Sequence, residues 1–217
     1  MQDPGLSPTP SSTENESLRI FVAVQFPPQV MSGVADVQER LKKGCRFVGA
    51  NPSWVPTDAF HQTLVFLGEQ RRSCLDDVAT AMQNAVSEVT TGPIRLSVAG
   101  VEFFPSARDP RTVSMGLGGE VAKLSQLQSA LREELRRAGF VIESRPFLPH
   151  VTLARIKSPK GLSGLKGIVA GHRSVSAGKF EVDRIELLES IPSNGRRTYR
   201  TLSHVMLPVK PPPVGNQ

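Results

Sequence analysis

Two histidines carry the strongest chemical signal in this chain, because each lies in nearly the same short segment. His61 lies in FHQTL and His150 lies in PHVTL, and a threonine follows each of them two residues later, Thr63 or Thr152. Residues i and i+2 of an extended strand point to the same face of a sheet. Each segment therefore presents an imidazole beside a hydroxyl. Two such strands facing one space could cleave a phosphodiester by acid and base.

The other two histidines lack this setting. His172 precedes Ser174 by two residues, but it lies in a stretch rich in Gly and Ser, and we predict a surface residue there. His204 lies in TLSHVML without a second motif residue, and we predict a structural histidine with satisfied hydrogen bonds. A structural role is also the alternative for His61 and His150, each bonded to its own threonine. Their matching apolar flanks favour the chemical interpretation.

The composition indicates a soluble globular protein with an anionic partner. The 217 residues carry a net charge of +6 with a pI of about 9.7, which favours RNA or a nucleotide, although an unspecialised basic surface explains the charge equally well. Cys45 and Cys74 have no ligand-like spacing, so we expect no disulfide framework and no metal site. The chain lacks a run of transmembrane length and a signal-peptide pattern, and we expect no membrane partner and a cytoplasmic location.

The pattern of apolar residues predicts an α+β fold. We expect a disordered leader over 1–17, a single folded domain over 18–207 and a disordered Pro-rich tail over 208–217. Within the domain we predict strands, helices, one loop and one turn. The strands are 18–26, 61–67, 94–98, 112–117, 147–155, 180–188 and 199–207; the helices are 28–43, 75–89 and 121–138; the loop is 160–178 and the turn 192–195.

A strand, a helix and a histidine strand thus occur twice along the chain. We therefore predict a bilobal domain with two pseudo-symmetric lobes. Each lobe would have a mainly antiparallel sheet with helices on its outer face, and the histidine strands would line a cleft between the lobes. The sequence lacks phosphate-binding glycine loops, a zinc-binding His-Glu-x-x-His helix and a nucleophile elbow, and we expect no cofactor.

At its two motifs the chain resembles the two-histidine phosphoesterases, and among them the LigT-like RNA 2′,3′-cyclic phosphodiesterases. The resemblance covers about residues 18–207. It rests on the segments LRIFVAVQFPPQV, WVPTDAFHQTLVFLGE, GVEFFPSARDPRTVSMGL, RPFLPHVTLAR and NGRRTYRTL. One departure is visible at Ser114-Met115-Gly116, where many relatives carry Trp before the Gly, and this change could alter how a base is held.

The resemblance implies metal-independent hydrolysis of terminal RNA 2′,3′-cyclic phosphates to 2′-phosphomonoesters, with a conceivable reversible 2′,5′ ligation. By analogy His150 is the general base and His61 the general acid. Their ordinary pKa near 6.5 suits both roles, and Thr63 and Thr152 would bond the phosphate oxygens. We expect RNA ends or nucleotides as partners and a monomer. The alternatives are a binding module of the same fold, or a hydrolase of another small cyclic phosphate such as ADP-ribose 1″,2″-cyclic phosphate.

Four further residues have two interpretations each. Strict alternation sends Arg155 away from the face of His150, so it is either a surface residue or is returned to the phosphate by a bulge. Phe21, Trp54 and Tyr199 either stack on a base or ribose, or pack in the core.

Overall fold

Nine strands and four α-helices make up the described part of the chain. The fold comes from a computed structural model, which describes residues 16–44, 52–89, 92–156, 163–193 and 196–208. The elements are β1 (Ser17–Gln25), α1 (Pro28–Gly44), β2 (Ser53–Trp54), β3 (His61–Arg71), α2 (Leu75–Val89), β4 (Ile94–Pro105), β5 (Pro110–Gly119), α3 (Val121–Arg137), β6 (His150–Arg155), α4 (Ser163–Gly171), β7 (Ser176–Val182), β8 (Arg184–Ser193) and β9 (Arg196–Met206).

The strands form two antiparallel sheets, each covered by a pair of helices. The first sheet has the order β3-β1-β8-β9, and α2 and α3 pack together against it. The second has the order β2-β6-β5-β4-β7, and α1 and α4 pack against it. The predicted α+β fold with two helix-covered antiparallel sheets is confirmed. No helix among the described residues has both the length and the apolar character needed to cross a membrane.

The two lobes are interleaved along the chain, which differs from the expected repeat of two chain halves. Helix α1 follows β1 of the first sheet, yet its buried face packs against β7 of the second. The approach is close, because a Cβ added at Gly33 would lie 2.3 Å from the carbonyl oxygen of Ala177. The first sheet likewise takes β8 and β9 from the end of the chain. Each lobe therefore needs segments from both ends of the sequence.

Helices α1, α2 and α3 follow the predicted apolar periodicity. In α3 the fully buried residues include Leu124, Leu131 and Leu135, which recur at helical spacing. The helix ends at Arg137, and Gly139 follows with a φ of 88°, the left-handed conformation that glycine adopts readily. The Gly139 N–H donates to the Arg136 carbonyl at 2.9 Å, and the Phe140 N–H donates to the Leu135 carbonyl at 3.0 Å. The predicted glycine cap is confirmed.

The predicted loop over 160–178 is wrong where the structure describes it. Helix α4 occupies Ser163–Gly171, and β7 begins at Ser176. Leu165 and Val169 are buried four residues apart, so they anchor one helical face in the core. Packing of this face outweighs the low helix propensity of the glycines around it.

Several predicted strand limits also change. The predicted strand 180–188 is two strands in different sheets, because the chain passes from β7 to β8 at Asp183. Gly68 does not end β3; its φ of 76° is accommodated within the strand, and pairing continues to Arg71. Ser17, assigned to the leader, already pairs with Arg71. The remaining leader residues 1–15, the tail from 209 and the turn residues 194–195 lie outside the described residues.

Candidate active site

The two histidine strands meet at one cavity of about 200 Å³. Its walls come from both sheets and from the segments that precede β3 and β6. The lining residues are Val55, Ala59, His61, Gln62, Thr63, Pro146, Phe147, Leu148, His150, Thr152, Arg155 and Tyr199. The structure thus brings together both histidines, both threonines and Arg155, and none of the described residues around this space is a carboxylate.

His61 is held by hydrogen bonds on both ring nitrogens. Its Nδ1 lies 2.9 Å from the carbonyl oxygen of Ala59, and its Nε2 lies 3.0 Å from the hydroxyl of Thr63. A carbonyl can only accept, so Nδ1 carries a hydrogen and donates. The Tyr199 ring meets the imidazole edge to face at 4.9 Å, and the Phe21 ring lies at the same centroid distance. Nε2 is therefore the nitrogen that can exchange a proton with a ligand.

The surroundings of His61 disfavour its charged form. Burial is the main cause, and it lowers the pKa of His61 below the ordinary value of 6.5. The hydrogen bond to Ala59 opposes this shift, whereas the positive charges of Arg155 and His150 add to it. The electrostatic influence of Arg155 on His61 also means that the two side chains share one environment. Without a bound anion the imidazole favours the neutral state.

His150 is held in a matching way. Its Nδ1 donates to the carbonyl oxygen of Leu148 at 2.7 Å, which again leaves Nε2 for chemistry. The ring stacks on Phe104 with centroids 4.5 Å apart and an angle of 19° between the planes. The backbone N–H of His150 donates to Oε1 of Gln62 at 2.6 Å. Both imidazoles are thus oriented by a carbonyl two residues upstream and by an aromatic ring.

A β-bulge explains how Arg155 reaches the cavity. Ser114 pairs with Thr152 and Val113 pairs with Ala154, so Leu153 is an extra residue in β6. Leu153 and Ala154 are consequently both buried, and Arg155 returns to the cavity side. The bulge is therefore present, and Arg155 is an exposed residue that lines the cavity, while its contact with a phosphate stays a prediction.

The same irregularity follows the first motif. Val22 pairs with Val65 and Ala23 pairs with Thr63, so Leu64 is the extra residue in β3. The two motifs are therefore alike in backbone geometry as well as in sequence, which supports the predicted pseudo-symmetry.

The three candidate stacking residues occupy different places. Tyr199 lines the cavity, and burial raises the pKa of its hydroxyl. Trp54 lines an adjoining cavity instead, with the Lys42 ammonium 5.6 Å from its ring centre. Phe21 is only 3% exposed and packs with Ala23 and Leu188. It contacts His61 rather than open space, so its ring has no free face for a base in this structure.

Three other expectations concern residues that the structure places away from the cavity. Met115, at the departure from the family pattern, is fully buried in the main core, so this departure does not touch a base-binding surface. His204 is exposed on β9, which corrects the expected structural histidine. His172 is half-buried after α4, and its Nδ1 donates to the Ile168 carbonyl at 2.8 Å, so it is less exposed than expected.

Sequence reasoning missed Gln62 and Phe104. Gln62 occupies the middle of the first motif, a strand position that faces the interior, and it is 2% exposed. A polar residue at such a position in an apolar strand was the available signal. Phe104 carried no comparable signal, because its stacking on His150 depends on the position of β4 beside β5 in the sheet.

The described residues contain no candidate metal-binding site. No group of three or more His, Cys, Asp or Glu side chains lies close enough to hold a metal ion there.

Comparison with known proteins agrees with this geometry. Residues 26–192 match the profile of the 2′-5′ RNA ligase superfamily. An RNA 2′,3′-cyclic phosphodiesterase of Aeropyrum pernix is 31% identical over 166 residues, which are 76% of this chain and 92% of the relative. A protein of the same name from Archaeoglobus fulgidus is 31% identical over 185 residues, 85% of this chain and 98% of the relative.

Solved structures share the fold. A Thermus thermophilus crystal structure has a TM-score of 0.67 and 26% identity, and the match covers 88% of this chain and 98% of that one. Escherichia coli LigT in complex with 3′-AMP has a TM-score of 0.66 and 23% identity, with 88% and 99% covered. These matches confirm the resemblance inferred from the motifs: the chain belongs to the 2′-5′ RNA ligase superfamily of two-histidine phosphoesterases.

Proposed function

We propose that the protein hydrolyses 2′,3′-cyclic phosphates at RNA ends to 2′-phosphomonoesters, without a metal. The observation that carries the proposal is the histidine pair. Two imidazoles from two sheets each donate Nδ1–H to a backbone carbonyl and keep Nε2 for the same cavity. The names of the relatives support the substrate class.

The proposed reaction is an in-line displacement at phosphorus. Nε2 of neutral His150 accepts a proton from water as the water oxygen bonds to phosphorus. The bond between phosphorus and O3′ breaks, and Nε2–H of protonated His61 donates its proton to O3′. The products are a 2′-phosphomonoester and a free 3′-hydroxyl. His61 is now neutral and His150 is protonated. His150 then loses its proton to solvent, and His61 takes up a proton again when the next substrate binds.

The lowered pKa of His61 constrains when it can act as the acid. In the free protein the neutral imidazole is favoured, so His61 must take up a proton when the substrate binds. A bound cyclic phosphate carries a negative charge, and an opposite charge at close range favours the imidazolium. We infer that substrate binding loads His61 with its proton, so that acid catalysis depends on correct occupancy of the cavity.

The threonines and Arg155 are proposed to bind the phosphate oxygens. Thr63 already bonds Nε2 of His61, so its hydroxyl lies where a phosphate oxygen would approach the acid. Thr152 holds the corresponding place after His150. The guanidinium of Arg155 would offset the charge that grows on the non-bridging oxygens. Tyr199 is proposed to contact the ribose or base, because it borders the cavity beside His61.

Two related reactions use the same site. If an RNA 5′-hydroxyl replaces water, the same displacement gives a 2′,5′ linkage, which is a reversible ligation. If the cyclic phosphate belongs to a small nucleotide, the product is the corresponding monoester. A binding module without turnover would have no need for two matched Nε2 atoms, and the double motif therefore favours an enzyme.

The test is a hydrolysis assay with defined product chemistry. EDTA-treated protein is incubated with a short RNA that ends in a 2′,3′-cyclic phosphate, and the product is assigned by ³¹P NMR. We expect a 2′-phosphate, and loss of product with His61→Gln. Binding without turnover would favour the binding module, and activity that appeared only after Mg²⁺ or Zn²⁺ was added would contradict the metal-free mechanism.

A further inference from the structure

A second cavity of about 530 Å³ adjoins the histidine cavity. The two cavities share four lining residues, Val55, Ala59, Arg155 and Tyr199, so they lie side by side. We call the second cavity the arginine groove, and its remaining lining residues are Ser53, Trp54, Pro56, Pro192, Ser193, Arg196 and Arg197. Its volume is within the usual range of small-ligand sites.

The charge of the arginine groove has one sign. Arg155, Arg196 and Arg197 line it, and no Asp or Glu is among the lining residues that the structure describes. Within the described residues none of these three arginines forms an ion pair. Arg197 donates from Nη1 to the Ser190 hydroxyl at 3.0 Å, and this single bond leaves most of its donors available.

Two other arginines of strands β8 and β9 have carboxylate partners. On β9, Arg200 donates to Glu189 at 2.6 Å, and on β8, Arg184 donates to Glu186 at 2.9 Å. Unpaired guanidinium groups are thus found at the groove, while arginines further along these strands have carboxylate partners. This pattern indicates a site for an external anion that accepts two hydrogen bonds from one guanidinium group. Phosphate is the common biological anion of this kind.

Aromatic residues stand beside the charges. Trp54 and Tyr199 both line the groove, and Tyr199 also borders the histidine cavity. Aromatic rings next to a basic surface are the usual arrangement for single-stranded nucleic acid, because bases stack while the backbone is neutralised.

We propose that the arginine groove binds the RNA strand next to the cyclic end, namely the phosphodiester and the nucleotide on the 5′ side of the terminal nucleoside. This proposal rests on the proposed function, because the cyclic phosphate at the histidines sets where the strand must leave the cavity. Arg196 and Arg197 contact the adjacent phosphodiester, and Trp54 contacts the penultimate nucleotide. The groove therefore selects RNA ends over cyclic mononucleotides.

The first experiment compares two substrates of the same chemistry. One is 2′,3′-cyclic AMP, and the other is a hexaribonucleotide with the same cyclic end. In the double variant Arg196→Gln/Arg197→Gln we expect the ratio of kcat/KM for the hexamer to that for the mononucleotide to fall about tenfold or more. For the hexamer, the slope of log(kcat/KM) against log salt concentration should become less negative by about 0.7 for each phosphate contact that is lost.

The matched control removes two charges elsewhere. Arg71 and Arg136 are exposed, form no ion pair in the described residues and line neither cavity. Arg71→Gln/Arg136→Gln should keep the wild-type substrate ratio. If both double variants change the ratio equally, the effect is one of net charge and the groove proposal is overturned. An unchanged ratio in the groove variant overturns it as well.

A binding measurement separates failure of the groove from failure of the proposed reaction. Fluorescence anisotropy with a labelled hexamer that ends in a 3′-hydroxyl requires no turnover. We expect weaker binding for Arg196→Gln/Arg197→Gln than for the control variant. If the wild type opens neither cyclic substrate, the proposed function fails, and the anisotropy result still decides the groove. Tighter binding of an acidic peptide than of the hexamer would indicate a protein partner and overturn the proposal.

Discussion

Gln62 joins the two histidine segments through a single buried side chain. Its Oε1 accepts the backbone N–H of His150 at 2.6 Å, and its Nε2 donates to the carbonyl of its neighbour Thr63 at 2.6 Å. One amide thus connects the backbone after His61 with the backbone of the other histidine. The contact crosses from the first sheet to the second, and it fixes where β6 begins. We expect Gln62 to act as a positioning residue for His150.

The informative change is Gln62→Met, which keeps the length of the side chain and removes both hydrogen bonds. The His150 N–H and the Thr63 carbonyl each lose a partner, at a cost of about 1–2 kcal/mol apiece. Burial of the apolar methionine stabilises the folded state by about 1 kcal/mol and offsets part of this loss. The free energy of unfolding should therefore fall by about 1–3 kcal/mol. Displacement of His150 by a fraction of an ångström should lower kcat by about 10–100-fold.

A matched control is available in Gln128, a second buried glutamine. Its Nε2 donates to the Leu64 carbonyl at 3.3 Å, and it contacts neither histidine. Because Gln128→Met removes one hydrogen bond instead of two, it should lower the free energy of unfolding by only about 0–1 kcal/mol in urea denaturation, and it should keep its kcat on cyclic-phosphate RNA. The pH dependence of kcat should change for Gln62→Met alone. If both variants lose stability and both keep wild-type kcat and pH profile, Gln62 is only structural and the reasoning is wrong.

Three further predictions concern the motif residues. His61→Gln and His150→Gln should each lower kcat by about 10²-fold or more, while His204→Gln, on the exposed face of β9, should keep it, as measured with the cyclic-phosphate hexamer. Thr63→Val and Thr152→Val should each cost about 1–3 kcal/mol of transition-state stabilisation, seen in kcat more than in KM; unchanged kcat in both would leave only a structural role. The pKa of His61 is lowered in the folded state, so the unfolded chain binds more protons just below pH 6.5. As the pH falls from 7.5 to 5.5, the free energy of unfolding should therefore decrease more steeply in the wild type than in His61→Gln. Equal slopes in urea titrations would contradict the buried neutral state.

Short-range patterns in the sequence predicted those helices that bury one regular apolar face. Apolar spacing was sufficient for α1, α2 and α3, because each buries one face against a sheet. It failed for α4, where glycines conceal a helix that Leu165 and Val169 hold in the core. It also failed at Asp183, because alternating apolar residues predict a strand but do not indicate the sheet to which that strand belongs. Two successive strands, β7 and β8, therefore looked like one.

The candidate site divides in the same way. The pairing of His61 with Thr63, and of His150 with Thr152, follows from strand alternation. The position of Arg155 depends on a bulge whose extra residue, Leu153, looks like any other strand residue. The arginine groove forms only when β9 lies beside the segment that carries β2, which no local pattern encodes.

The interleaved lobes also determine the order in which the protein can mature during its synthesis. β1 leaves the ribosome long before β8, yet β8 is one of its two partners in the first sheet. Until β8 and β9 emerge, one edge of β1 stays unpaired, including the segment from Ile20 to Ala23. Such long-range pairing makes folding slow and exposes an edge that favours aggregation. The nascent chain should therefore depend on chaperones until β8 has emerged.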